Sequence, residues 1–122
     1  MSTATTVLVV DDSQVSRMMI RAIIEDRHPE WTIIEAKSGD EALSKCEQQQ
    51  NIALMILDYN LPGMDGLTMA GHLKEKYPAT PISLLTADIQ KGIRDKAAHL
   101  NLHFTPKPIT EDKVASILKL VK

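Results

Sequence analysis

Five side chains in this sequence could do phosphate chemistry together if the fold brought them to one place. They are Asp11 and Asp12 in VVDDS, Asp58 in LDYNLPGMDG, Thr86 in LLTA and Lys107 in TPKP. Three clustered carboxylates repel one another and cannot all stay ionised in a dry site without help. A hard divalent cation relieves this. Mg2+ takes oxygen ligands, keeps several waters, and suits one or two carboxylates plus phosphate oxygens. With that charge compensated, Asp58 can remain an anion and attack phosphorus, a known use of carboxylate nucleophiles. Phosphoryl transfer then mainly needs neutralisation and in-line placement. Mg2+, the Lys107 ammonium and the Thr86 hydroxyl would each contact a different oxygen of the group.

Whether these side chains meet depends on the elements that carry them. VLVV at 7–10 is a continuous β-branched and aliphatic run, the pattern of a strand buried on both faces. WTIIEA, IALMILD and PISLLTA read as three further strands, and LHFTPKP carries a short fifth. Val15, Met18, Met19, Ala22 and Ile23 recur at helical spacing, predicting a first helix to about His28, closed by Pro29. Ser38 and Glu41 form a capping-box signature for a second helix carrying Ala42, Leu43 and Cys46. Leu67, Ala70 and Leu73 mark a third helix, opened at Asp65-Gly66 and ended by Pro78. Ile89, Ile93, Ala97 and Leu100 mark a fourth. Thr110 is the expected N-cap of a fifth, with Val114, Ile117, Leu118 and Val121 as its apolar face.

Five strands alternating with five helices predict an α/β fold, a parallel sheet with helices on both faces, in a single domain over 1–122. In such sheets ligands bind outside the carboxyl ends of the strands. Asp11-Asp12, Asp58, Thr86-Ala87-Asp88 and Thr105-Pro106-Lys107-Pro108 all fall at those ends.

Composition narrows the classes. The 122 residues are 43% hydrophobic and only 3% aromatic, so the core must be aliphatic. A formal net charge of −2 leaves no footprint for nucleic acid or an anionic membrane. One cysteine, Cys46, excludes an intrachain disulfide. The polar start MSTATT is no signal peptide, and runs such as IALMIL are too short to span a bilayer. The expectation is a soluble cytoplasmic protein. His28, His72, His99 and His103 show no metal-ligand spacing and are expected to be solvated or incidental.

Each residue alone has a plainer reading. A single Asp at a strand end is usually a turn or cap residue, and Asp11, Asp12 or Ser13 could cap the first helix. Lysines are mostly solvated, and Phe104 is most simply core. The functional reading rests on the register of the set. A flavodoxin-like cofactor carrier would need a Ser-, Thr- or Gly-rich phosphate loop after the first strand, where this chain has two acids. An aspartate-nucleophile phosphatase generally has a second acid two residues after the nucleophile, where this chain has Asn60. A degenerate scaffold would not keep an intact site.

The four motifs, in this order and each after a predicted strand, resemble those of response-regulator receiver domains of two-component signalling, the chemotaxis type included. The resemblance covers essentially the whole chain. It implies a doubly wound, flavodoxin-like (βα)5 fold with strand order 2-1-3-4-5. It implies that Asp58 accepts a phosphoryl group from a phosphohistidine on a histidine kinase or histidine phosphotransfer protein. Mg2+ would be held by Asp11, Asp12, Asp58 and the Asn60 carbonyl. Thr86, Ala87 and Lys107 would meet the phosphoryl oxygens, and the Lys107–Pro108 bond would be cis. Phe104 stands where the family has its switch aromatic, often tyrosine. Its inward turn would change the surface of the fourth helix, fifth strand and fifth helix for a downstream protein target.

Asn60 and Asp88 would tune dephosphorylation, relatively fast in chemotaxis-type members. Kinase specificity would lie on the first helix, at Gln14, Val15, Arg17 and Met18. The module would assist its own phosphorylation and dephosphorylation without being a turnover enzyme. A phosphorylation-dependent homodimer stays open. Because the chain stops at Lys122, where the fifth helix should run out, a stand-alone receiver is expected. A piece of a longer regulator is the alternative.

Overall fold

The computed structural model describes residues 5–87 and 91–121. Three of its strands, β1 (Thr6–Val10), β3 (Leu54–Asp58) and β4 (Ile82–Thr86), are buried along nearly their whole length. Such strands need cover on both faces, and the chain supplies it by alternating them with helices. The remaining elements are α1 (Gln14–Arg27), β2 (Thr32–Ala36), α2 (Gly39–Cys46), α3 (Gly66–Lys76), α4 (Lys91–His99), β5 (His103–Pro106) and α5 (Glu111–Leu118). The strands form one parallel sheet in the order β2-β1-β3-β4-β5, as the resemblance implies.

Alternate residues of each strand feed two core layers. Leu8, Val10, Met55, Leu57, Ile82 and Leu84 pack with Ala42, Met69, Leu73 and Ala97 under α2, α3 and α4. Val7, Val9, Leu54, Ile56 and Leu85 pack with Ile20, Ile24, Val114 and Ile117 under α1 and α5. Each fully buried aliphatic side chain contributes roughly 1.5–3 kcal/mol. A one-residue slip of a strand would exchange its two layers, so the register is firmly set.

Helix starts follow the local chemistry. Ser13, Ser38, Asp65 and Thr110 each accept a hydrogen bond from the backbone N–H three residues on. Glu41 completes its box one residue early, through the N–H of Lys37 at 2.7 Å.

The first helix forms where its spacing predicts, but that spacing does not mark the buried face. Val15, Met18 and Met19 are 66%, 59% and 44% exposed, and Ala22 is exposed too. The buried face is Ile20 and Ile24, with Ile23 beside them. Two apolar stripes share this helix, and only the isoleucine stripe meets the sheet and α5. Strand ends also shift. Pro81 and Ala87 lie outside β4, and Ile52 is buried but precedes β3. The fifth helix ends before Val121, which still packs on the second layer. Among the described residues no helix is long and apolar enough to cross a membrane.

Candidate functional site: an acidic pocket at the carboxyl ends of the strands

The sheet order makes β1 and β3 neighbours at its centre, with Val10 opposite Leu57. The residues just past those partners are Asp11 and Asp58. Both are almost fully buried, at 1% and 2% exposure. Asp12 is exposed beside them, and one carboxylate oxygen from each of the three lies within 4.8 Å of the others. Ser13 takes the capping role of α1, which answers the plain reading of the aspartates. Asp11 Oδ1 instead accepts the Ser13 N–H at 2.9 Å.

The fourth charged group comes from the far side. The Lys107 amide donates to the Thr86 carbonyl at 2.9 Å, which turns the β5–α5 loop over the strand ends. Lys107 Nζ then reaches Asp58 Oδ1 at 3.1 Å and Asp11 Oδ2 at 3.9 Å. The following Lys107–Pro108 bond is cis. The Asn60 N–H also donates to Asp58 Oδ1, at 3.3 Å. Asn60 is itself exposed.

Electrostatically the pocket holds more negative charge than it compensates. Asp11 Oδ2 is buried and has no hydrogen-bond partner among the described residues. Burial pushes the Asp11 carboxyl above its usual range. The Ser13 N–H opposes that rise, and repulsion from Asp58 adds to it. Among the described residues, one ammonium against three carboxylates, with an orphaned buried oxygen, fits a hard, oxygen-seeking divalent cation. Asp11, Asp12 and Asp58 would hold it.

Thr86 is fully buried at the end of β4, and Ala87 follows it at the surface. Phe104 lies opposite Leu84 on β5, half-buried against the first core layer, with the Arg94 guanidinium 5.4 Å from its ring centroid. Asp88 lies outside the described residues. At Gly66, a Cβ would sit 2.5 Å from the Asp58 carbonyl oxygen and 2.8 Å from the Tyr59 Cα. Only glycine lets α3 start this close to the Asp58 backbone.

Residues 7–119 match the family model described as the response regulator receiver domain. The chain belongs to that family. It is 31% identical over 113 residues to the chemotaxis protein CheY of Listeria monocytogenes, covering 92% of this chain and 93% of that one. It is 37% identical over 106 residues to the cyclic di-GMP phosphodiesterase response regulator RpfG of Xanthomonas campestris, covering 84% of this chain but 28% of the relative. Among solved structures, the chemotaxis response regulator CheY4 of Vibrio cholerae superposes with a TM-score of 0.84 at 26% identity, over 96% of this chain and 98% of that one. The chain spans about a third of the length of several curated relatives it matches. Receiver domains are phosphoryl-transfer switches of two-component systems, served by a kinase or phosphotransfer partner.

In this receiver domain Arg17, expected at the surface of α1, is turned toward the sheet. Its side chain is only 16% exposed, and its guanidinium bonds Glu35 Oε1 at 3.1 Å and the Asp11 carbonyl oxygen at 2.6 Å. It therefore braces the loop that carries Asp11 and Asp12. Nothing in the local sequence signals this, because Glu35 is 18 residues away. His103, expected to be incidental, places Nδ1 3.0 Å from the buried Ser83 hydroxyl and 3.3 Å from Thr105. That cluster lies on the α5 side of the sheet, opposite Phe104 and Leu84.

Proposed function

We propose that Asp58 is the phosphoacceptor of a phosphorylation switch. The observation that carries this is the 3.1 Å pair between Lys107 Nζ and Asp58 Oδ1 inside the Asp11–Asp12–Asp58 cluster. The Asp58 carboxylate attacks the phosphorus of a phosphohistidine on a histidine kinase or histidine phosphotransfer protein. The Oδ–P bond forms as the N–P bond breaks, and the leaving electron pair goes to the imidazole. Lys107 and the Asn60 N–H hold the carboxylate in place. Lys107 then remains beside the added oxygens. Mg2+, held by Asp11, Asp12, Asp58 and the Asn60 carbonyl, would supply charge compensation at the phosphoryl oxygens.

The partner docks on the rim of this pocket. Val15, Met18 and Met19 present apolar side chains to water. A groove of about 470 Å3 between Ser16, Met19, Ala87, Lys107, Pro108 and Ile109 continues that surface. Thr86 and Ala87 close on the phosphoryl oxygens, and Phe104 turns inward. The face of α4, β5 and α5 thereby changes its affinity for a downstream protein target. Asn60 and Asp88 set the lifetime of the acyl phosphate. We read residues 1–122 as one receiver domain that acts in the cytoplasm and promotes its own phosphorylation and dephosphorylation without a turnover activity.

The test is intact mass after incubation with Mg2+ and acetyl phosphate. The wild type should gain one phosphoryl group that hydroxylamine removes. Asp58→Ala should gain none. Uptake by the variant, or no uptake from either acetyl phosphate or a phosphohistidine donor by a folded wild type, would overturn the assignment.

A further inference from the structure

The loop that brings Lys107 to Asp58 is held from behind by a second lysine. Lys113 Nζ donates to the Pro106 carbonyl at 2.8 Å and to the Pro108 carbonyl at 3.1 Å. These acceptors flank Lys107, and both belong to prolines, which offer the loop an acceptor but no N–H. The Lys107 N–H is already committed to Thr86. The segment bearing the ammonium is thus fixed on both sides by α5 and in the middle by β4.

Lys113 stands in the first turn of α5, behind Glu111 and Asp112. A cation there runs against the helix dipole, which favours acids at that end. The two carbonyl contacts offset that disadvantage. The Lys113 backbone is itself anchored, since its N–H donates to the Thr110 hydroxyl at 3.2 Å.

We infer that Lys113 is a positioning residue: it clasps the carbonyls on either side of Lys107, so that α5 sets where the Lys107 ammonium sits relative to Asp58. The inference rests on the reading of Asp58 as phosphoacceptor. It adds a mechanical tie between α5 and the pocket.

The variants are Lys113→Met, which keeps the stem and loses the donors, and Lys113→Arg, which keeps donors. Uptake from acetyl phosphate should slow about tenfold in Lys113→Met, as misplacement of a charge-stabilising group requires, and return to within about twofold of wild type in Lys113→Arg. Exchange of the Lys107 amide proton, followed by NMR without any phosphodonor, should quicken by a similar factor in Lys113→Met. Wild-type uptake with an unchanged rate in Lys113→Met overturns the inference, including where the melting temperature falls, because that outcome is a structural role alone. Should the wild type take up no phosphoryl group, the Asp58 reading fails separately and the exchange measurement decides: faster exchange in Lys113→Met upholds the clasp, and equal exchange overturns it.

Discussion

Asp11 follows the end of β1 and Glu35 lies on the adjacent β2, yet the fold treats the two acids in opposite ways. Val9 pairs with Glu35, Val10 pairs with Ala36, and the Asp11 N–H donates to the Ala36 carbonyl. Glu35 is satisfied twice, by Arg17 at 3.1 Å and Arg21 at 2.6 Å. Burial alone would push its carboxyl up, but the hydrogen bonds and charges of Arg21 and then Arg17 hold it below the usual range. Asp11 is more deeply buried and keeps an oxygen with no hydrogen bond among the described residues. Arg17 touches both residues. It gives its Nε to the Glu35 carboxylate but its Nη1 to the Asp11 backbone carbonyl. A guanidinium aimed at the Asp11 carboxylate would have quenched the charge that a cation needs. The difference separates an ion pair that holds α1 on the sheet from a buried carboxylate with an unsatisfied oxygen.

The comparison breaks most sharply at Asp11. Asp11→Asn should weaken Mg2+ binding by roughly a hundredfold in isothermal titration, since it removes a ligand charge. The same change should raise the metal-free melting temperature by about 4 °C. The sign follows from the raised Asp11 value. The folded state binds its proton more tightly, so the wild type without metal loses stability as pH rises through that value, and the variant does not. Unchanged Mg2+ affinity would remove Asp11 from the ligand set.

Glu35→Ala should cost about 2 kcal/mol in urea unfolding, because it removes the carboxylate that two guanidiniums share. Its acid dependence sharpens the contrast. The Glu35 contribution is complete above its ordinary value of 4.5 and is lost as pH falls through the lowered folded value. The wild-type acid limb should therefore be steeper than that of Glu35→Gln. Arg21→Ala should have the smallest effect, about 0.5 kcal/mol and weaker in high salt, since that guanidinium is 36% exposed.

Much of this was legible in the sequence, for reasons that differ by element. Buried parallel strands are continuous aliphatic runs, and Val7–Val10 and Leu54–Leu57 read as such. Ser38, Asp65 and Thr110 were legible as helix starts because capping is a local bond over three residues. The meeting of Asp11, Asp12, Asp58 and Lys107 was legible because strand ends in such a sheet converge. The α1 faces were not, since Val15, Met18 and Met19 have the same helical spacing as a core stripe. Periodicity does not say which stripe meets the sheet. The contacts of Arg17 with Asp11 and of Lys113 with Pro106 and Pro108 were not legible either, because they are bonds to backbone carbonyls. Any residue can offer a carbonyl, and only the folded chain shows which one is in reach.

Trp31 stacks on His28 with ring centroids 3.8 Å apart, at the amino end of β2. In a parallel sheet that is the end remote from Asp58. Trp31 is the sole tryptophan, so tryptophan emission is a reporter of unfolding. It should stay dark to events at the acidic pocket. Following those events by tryptophan emission requires a tryptophan introduced at the other end of the molecule.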